Sequence, residues 1–268
     1  MKKRNYGLAI TKPNEEVFKC GHFKCVEYCK SSLSTPDAFE IMESEVLQLI
    51  ALSKKYGVEI RSFHLPFGKS EYFSFEPASL DEKLSTETLV LTKRLMEILV
   101  PTGIKYVILH GSQRIPPEER KKRLDIFVGY VRKLCDFCSD YGITVAIETL
   151  KPSCIGNGLA EHLYILENAC RENLGICFDS NHLFNEDNIE FLKKAGQYVV
   201  TTHLSDFDGA DERHWFPGRG INDWHSIVNV LNEKGYEGPY LFEVNFPELP
   251  AKTEDLDTLV EEWEKIFE

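Results

Sequence analysis

Eight short runs of β-branched and aromatic residues recur along this chain, and most are separated by stretches with helical spacing. They are NYGLAI (5–10), FKCVEYC (23–29), GVEIRSFH (57–64), IKYVILH (104–110), ITVAIE (143–148), LGICFD (174–179), YVVTTH (198–203) and PYLFEV (239–244). Apolar runs of this kind, opened by Gly, Asn or Pro turns, read as buried parallel strands, and parallel neighbours need a crossover between them. Eight such strands within 268 residues fit one (β/α)8 barrel, so the whole chain, 1–268, is expected to be a single α/β domain. Helical patterns are clearest at Asp37–Tyr56, at Ser85–Leu99 with Leu91, Leu95 and Ile98 on one side, at Pro117–Tyr141 and at Thr253–Phe267. Glycines in KKYGV, DYGIT and EKGYEG punctuate helix ends before the next strand. Between Ile10 and Phe23 there is room only for a stub, which predicts a shortened first helix.

The strand ends carry the chemistry. In a closed parallel barrel the residue leaving the C-terminal end of a strand faces the mouth. The fifth to seventh runs end on Glu148, Asp179 and His203, and the eighth carries Glu243 at the close of PYLFE. Two Glu, one Asp and one His form a hard, mostly oxygen donor set suited to one Mn²⁺, Mg²⁺, Co²⁺ or Zn²⁺ ion. The third and fourth runs end on His64 and His110, so six of the eight ends are chelators or acids. A lone histidine at a strand end is commonly structural; repetition at equivalent positions argues for a site. DSNHLF adds His182, and the loop after the seventh run adds Asp206, Asp211, Glu212 and His214 before a PG-x-G turn.

Composition narrows the partners. No apolar stretch approaches the roughly 20 residues that span a bilayer, and the basic start MKKR is followed by too short an apolar segment for a signal peptide, so a cytoplasmic protein without a membrane partner is expected. Five of the eight cysteines fall in strand or helix runs and read as reduced thiols; Cys135 and Cys138 share a helical face with Leu124, Phe127, Val128, Val131 and Leu134, a core pattern rather than a zinc pair. A net charge of −12 weighs against a long nucleic-acid contact, although a local basic patch or bound cations could offset it. A homo-oligomer is compatible with the sequence.

On the segments FDSNH, HLSD…H…PGRG…DW and GYEGPYLFEV, the chain resembles the xylose isomerase-like TIM-barrel superfamily, in particular its sugar phosphate isomerase/epimerase group, over nearly its whole length. The resemblance implies one divalent metal held by Glu148, Asp179, His203 and Glu243, and a small sugar or sugar phosphate as substrate. Such isomerisation removes a proton next to a carbonyl through an enediolate, which a metal stabilises and a carboxylate assists. In the ketose epimerases of the superfamily the glutamates matching Glu148 and Glu243 take and return that proton. His182 is then expected to touch a bound hydroxyl or support the ion, and Lys151, Trp215 and Arg219 to contact substrate, against the plainer readings of a solvated lysine and a loop aromatic serving as a lid or subunit contact. His214 departs from the pattern, since ketose 3-epimerases usually carry an Arg there.

A competing expectation comes from the apurinic-site endonucleases of the same superfamily, which bind three zinc ions. Here His64, His110 and Glu148 would hold one, Glu148, Asp179, His203 and Glu243 the second, and His182, Glu212 and His214 the third. Three features weigh for the sugar reading: the loop acid is Glu212 rather than Asp, SFHLPFG lacks the Tyr that follows the nuclease histidine, and FDSNHLFNEDN lacks the nuclease's small-residue run. A dehydratase acting on a polyol ketone would use the same deprotonation. A binding protein that had lost activity would be expected to lack one of the four ligands, and all are present.

Overall fold

Residues 5–112 and 114–268 are described in the computed structural model; the basic start, Met1 to Arg4, lies outside them. Eight parallel strands, β1 (Tyr6–Ile10), β2 (Phe23–Cys29), β3 (Glu59–His64), β4 (Tyr106–Leu109), β5 (Thr144–Glu148), β6 (Leu174–Asp179), β7 (Val199–His203) and β8 (Tyr240–Phe242), run in the order β8-β1-β2-β3-β4-β5-β6-β7. Just past β7, Leu204 closes the ring, donating its N–H to Leu241 O at 2.8 Å and accepting from Glu243 N at 3.3 Å. Regular pairing stops at Leu109 and Phe242, so His110 and Glu243 stand one residue beyond the last paired position, at the lip of the barrel.

Helices α1 (Glu15–Lys19), α2 (Ala38–Tyr56), α3 (Glu82–Leu99), α4 (Arg120–Ser139), α5 (Gly158–Ala169), α6 (Asn188–Ala195), α7 (Trp224–Glu233) and α8 (Thr253–Lys265) follow the strands in turn. The first is the expected stub of five residues. Helix α3 begins three residues before Ser85 because Asp81 caps it, accepting from Lys83 N and Leu84 N. Its buried face is Thr88, Thr92, Leu95, Met96 and Leu99, with Leu91 and Ile98 half-buried at the edge. The face is turned from the expected one because two threonines count as polar in the pattern yet bury their methyls, while Thr92 Oγ1 accepts from the buried Tyr130 hydroxyl at 2.7 Å. Helices α5 to α7, with 12, 8 and 10 residues, span only about two to three turns, too few for the helical period to stand out in the sequence. A two-stranded antiparallel hairpin, Gly68–Lys69 with Ser74–Phe75, is inserted between β3 and α3.

The main hydrophobic core fills the layer between barrel and helices, whereas a second cluster of Ile108, Ala146 and Cys177, with Tyr106 and Val200 against it, lies apart from it. Side chains two residues apart on a strand share a face, so Ile108, Ala146 and Cys177 are followed on the same face by His110, Glu148 and Asp179. Apolar packing thus gives way to chelating side chains one step nearer the mouth. Cys135 and Cys138 are buried on α4 with the residues expected beside them, and all eight cysteines are free. No helix among the described residues is long and apolar enough to cross a membrane.

Helix α8 anchors the closing seam through Trp263, which is fully buried against Trp224, Tyr240 and Phe242 at ring separations of 5.4, 5.6 and 5.3 Å. Trp263→Ala is expected to cost about 3–5 kcal/mol, the range for deleting a buried large aromatic. Equilibrium urea unfolding measures it, and a loss below about 1 kcal/mol would contradict this packing, being typical of a surface change.

Candidate metal centre and active site

At the mouth, β5 to β8 bring Glu148, Asp179, His203 and Glu243 together so that one ligand atom from each lies within 4.8 Å of the others. His203 Nδ1 is 3.1 Å from both Glu148 Oε1 and Glu243 Oε2, and 4.0 Å from Asp179 Oδ2. Two further groups meet the same criterion: His64, His110 and Glu148, and His182, Glu212 and His214. In the first, both histidines aim Nε2 at Glu148 Oε2, from 2.9 Å for His64 and 2.5 Å for His110. In the second, Glu212 Oε1 lies 3.2 Å from His182 Nε2 and 3.1 Å from His214 Nε2. All the acids and histidines grouped in the sequence reading therefore converge.

Orphaned oxygens test whether a cation fits. Among the described residues, Asp179 Oδ2 and Glu243 Oε2 are buried without a hydrogen-bond donor, although ring nitrogens stand close. His182 Nδ1, 3.2 Å from Asp179 Oδ2, donates instead to Thr149 O, and His203 Nδ1 lies between Glu148 Oε1 and Glu243 Oε2, each 3.1 Å away. Buried carboxylate oxygens without donors are costly. A divalent ion among three carboxylates and one imidazole would satisfy both, and the donor set suits a hard or borderline cation.

The electrostatics point the same way. Burial pushes the Asp179 carboxyl up to about 7 against the pull of His182 and His214. Burial also opposes ionisation of Glu148 and Glu243, but His110 and His203 hold Glu148 well below the ordinary carboxylate range, and His203 and His214 hold Glu243 at about 2. His182 and His214 are raised to about 9 and about 10, their burial outweighed by Asp179 and Glu212 for the first and by Glu212 and Glu243 for the second.

Glu243 side-chain atoms remain 23% exposed while those of Glu148 and Asp179 are essentially sealed. Glu243 and His214 border a cavity of about 470 Å³ whose other walls come from residues 8–14, Val17, Cys29, Val244 to Phe246 and Leu249 to Ala251. Phe67, from the loop after β3, stacks on His110 with ring centres 4.0 Å apart and helps cover the mouth.

Lys151 ion-pairs with Glu212 Oε2 at 2.7 Å, which places it beside the third group. Trp215 is 38% exposed and exchanges two backbone hydrogen bonds with Asp206. Arg219 is not brought to the site: its guanidinium holds Glu262 of α8 through two 2.7 Å bonds and covers the Phe216 ring. Asp206 organises the loop by accepting from Phe207 N, Gly218 N, Asn222 N and Trp224 Nε1. Asp211 is exposed, with Arg213 at 3.8 Å. Gly220 ends the PG-x-G turn so close to the preceding chain that a Cβ there would lie 2.2 Å from Phe207 O, which accounts for a glycine at that position.

One site neighbour escaped the sequence reading. Glu27, in the middle of β2, is completely buried, 2.8 Å from His203 Nε2, and accepts from Ser62 Oγ at 2.6 Å. The available signal was an acid inside the otherwise apolar FKCVEYC run, where a buried carboxylate needs a partner; attention to strand ends passed over a strand middle.

Comparison with known proteins places this geometry in context. A family model described as xylose isomerase-like TIM barrel matches residues 15–264. The inosose isomerase of Bacillus subtilis (strain 168) is 31% identical over 180 residues, which is 63% of this chain and 64% of that protein, so the match spans less than two thirds of the relative's own length. Among solved structures, a D-tagatose 3-epimerase-like protein aligns with a TM-score of 0.80 and 21% identity over 98% of both chains. The IOLI protein with a bound zinc atom aligns with a TM-score of 0.78 and 21% identity over 98% of this chain and 97% of that one. At these identities the likeness of the structures is one of fold.

The metal-free site carries a defined linkage. A carboxyl raised from 3.8 to about 7 by burial keeps a proton that the unfolded chain releases, so its contribution to stability is lost as pH rises through that interval. Asp179→Asn lacks this loss. In the presence of a chelator the variant is expected to gain stability relative to wild type as pH rises from 4 towards 7, and to bind divalent metal weakly or not at all. Urea unfolding at several pH values and a metal titration check both; a variant less stable than metal-free wild type at pH 7.5 would contradict the buried-charge account.

Proposed function

For this chain, which belongs to the xylose isomerase-like TIM-barrel family, we propose a divalent-metal-dependent isomerase or epimerase activity on a small sugar, sugar phosphate or polyol ketone. The observation that carries the reading is the pair of carboxylates, Glu148 and Glu243, both approaching His203 Nδ1 to 3.1 Å, with Glu243 facing the cavity. The likeness to an inosose isomerase supports the same class of reaction.

Glu148, Asp179, His203 and Glu243 would hold the ion. When bound, it would supply Lewis-acid stabilisation of the negative charge that develops on the substrate's oxygens. The protein's own part is proton transfer at the carbon next to the carbonyl. A base must be ionised and within reach; both glutamates are held ionised by neighbouring histidines. Glu243 would give the buried Oε2 to the ion; because the residue is 23% exposed and borders the cavity, its other oxygen is the better placed to take the proton from the cavity side. Glu148, tethered by His64, His110 and His203, fits the partner that protonates the other face or the adjacent carbon, its histidines stabilising the charge it keeps. Asp179, wholly buried, is an anchor. The apolar cavity wall and Phe67 would exclude water, which strengthens each charge interaction.

A second reading, a three-zinc phosphodiesterase like the apurinic-site endonucleases, is favoured by one observation, the three separate ligand groups. The net charge of −12 and the Lys151–Glu212 ion pair weigh against it, since a phosphate backbone needs a positive track and a lysine competes with a metal for Glu212.

Two measurements separate the readings. In D₂O with Mn²⁺ and a panel of ketoses, inososes and their phosphates, wild type is expected to exchange a substrate C–H for deuterium, and Glu148→Gln and Glu243→Gln to lose at least about 100-fold in rate, the usual contribution of a positioned acid or base. Near wild-type exchange in both variants would sink the assignment. Metal analysis is expected to give one tightly held divalent ion per chain, whereas three zincs together with cleavage of abasic DNA would establish the second reading.

A further inference from the structure

We propose that Glu27 is a positioning residue for the metal centre: by taking the Nε2 hydrogen of His203 it leaves Nδ1 as the ring atom presented to Glu148, Asp179 and Glu243. The assignment rests on the metal-centre reading above and goes beyond it, because Glu27 lies outside all three ligand groups.

Strands β2 and β7 are not neighbours; β8 and β1 stand between them in the ring. The contact between Glu27 and His203 therefore crosses the barrel interior. Glu27 and Ser62 are directly paired in the β2–β3 register, and the next inward pair towards the mouth is Cys29 with His64, so Glu27 sits one layer beneath the candidate ligands, as the floor of the site. Its two oxygens are separately committed: Oε1 is 2.8 Å from His203 Nε2 and Oε2 accepts from Ser62 Oγ at 2.6 Å. Glu27, Ser62 and His203 are all completely buried, and His203 is the cationic or potentially cationic group in ion-pair contact with Glu27 among the described residues.

A neutral imidazole can carry its hydrogen on either ring nitrogen, and the hydrogen bond one of them makes decides which. A carboxylate oxygen facing Nε2 decides in favour of Nε2–H and turns the Nδ1 lone pair towards the opposite side, where the oxygens of Glu148, Asp179 and Glu243 lie 3.1 to 4.0 Å away. The same bond fixes the ring's rotation and raises its basicity as a ligand. Ser62 adds a second constraint, since its hydroxyl keeps the carboxylate from swinging to another partner. A carboxylate at this depth, supported by an imidazole and a hydroxyl, is a poor choice for stability alone, and a hydrophobic residue would fill the floor at less cost.

The test compares wild type, Glu27→Ala, Glu27→Gln and Ser62→Ala. Zn²⁺ affinity is read by competition with a chromophoric chelator, the state of the His203 ring by long-range ¹H–¹⁵N spectra of the zinc-loaded protein, and fold integrity by unfolding of the metal-free protein. Wild type is expected to show a slowly exchanging His203 Nε2–H. Glu27→Ala should lose about 10–100-fold in Zn²⁺ affinity, the usual effect of removing a partner behind a ligating histidine, beyond any loss in metal-free stability that the unpaired His203 and Ser62 bring. Glu27→Gln, whose amide oxygen still accepts the bond, should recover part of the loss; it carries the test if the alanine variant does not fold. Zn²⁺ affinity within about twofold of wild type in Glu27→Ala, or in Glu27→Gln and Ser62→Ala together if Glu27→Ala does not fold, overturns the role, as does a His203 hydrogen on Nδ1 in the zinc-loaded wild type. Wild type that takes up no Zn²⁺ overturns the proposed function itself, and this assignment with it.

Discussion

Burying a carboxylate costs several kcal/mol unless something nearby answers its charge, and this barrel buries Glu27, Glu148 and Asp179 outright and Glu243 in large part. The polar architecture of the mouth follows from that cost. Histidines from β3, from the loop after β4 and from β7 surround Glu148, and Ser62 and His203 share Glu27. What remains uncompensated is concentrated on two atoms, Asp179 Oδ2 and Glu243 Oε2. A cation at that point would complete the balance, and the same cation would supply the Lewis acid that the proposed proton abstraction uses. Stability and chemistry therefore call for the same charge in the same place.

Precision comes from the strands. A parallel strand fixes which residues point inward by its period of two, and the ring's closure through Leu204 fixes where β7 and β8 end relative to each other. The candidate ligands are carried on backbone held by ladder hydrogen bonds and by the helix layer outside, with Trp263 packed over the seam. The loop after β7 is less regular and is held by Asp206, whose carboxylate gathers four donors. It positions Glu212 and His214 while leaving the cavity beside Glu243 open on the β1 and β8 side.

Much of this was legible in the sequence, for physical reasons that also mark where reading stopped. Buried parallel strands are continuous apolar runs, so all eight stood out, and their last residues, Glu148, Asp179, His203 and Glu243, had to share one end of the barrel. Short amphipathic helices with few turns, α5 to α7, gave no comparable signal. Threonine misled the reading of the α3 face, because Thr88 and Thr92 bury their methyls. The destination of long side chains was equally hidden: Arg219 was expected near substrate, and it reaches back to Glu262, 43 positions away in the chain. Glu27 was missed because its significance lies in a contact across the barrel, and periodicity along one strand carries no information about what faces it from another.

The central claim is that four strand ends make a single divalent-metal centre, with His203 binding through Nδ1. Anomalous diffraction from crystals of the protein grown with Zn²⁺ tests it most directly. The account predicts a dominant peak about 2.0–2.2 Å from carboxylate oxygens of Glu148, Asp179 and Glu243 and from His203 Nδ1. A peak confined to the His64 and His110 side of Glu148, or a zinc bound without His203, would contradict it.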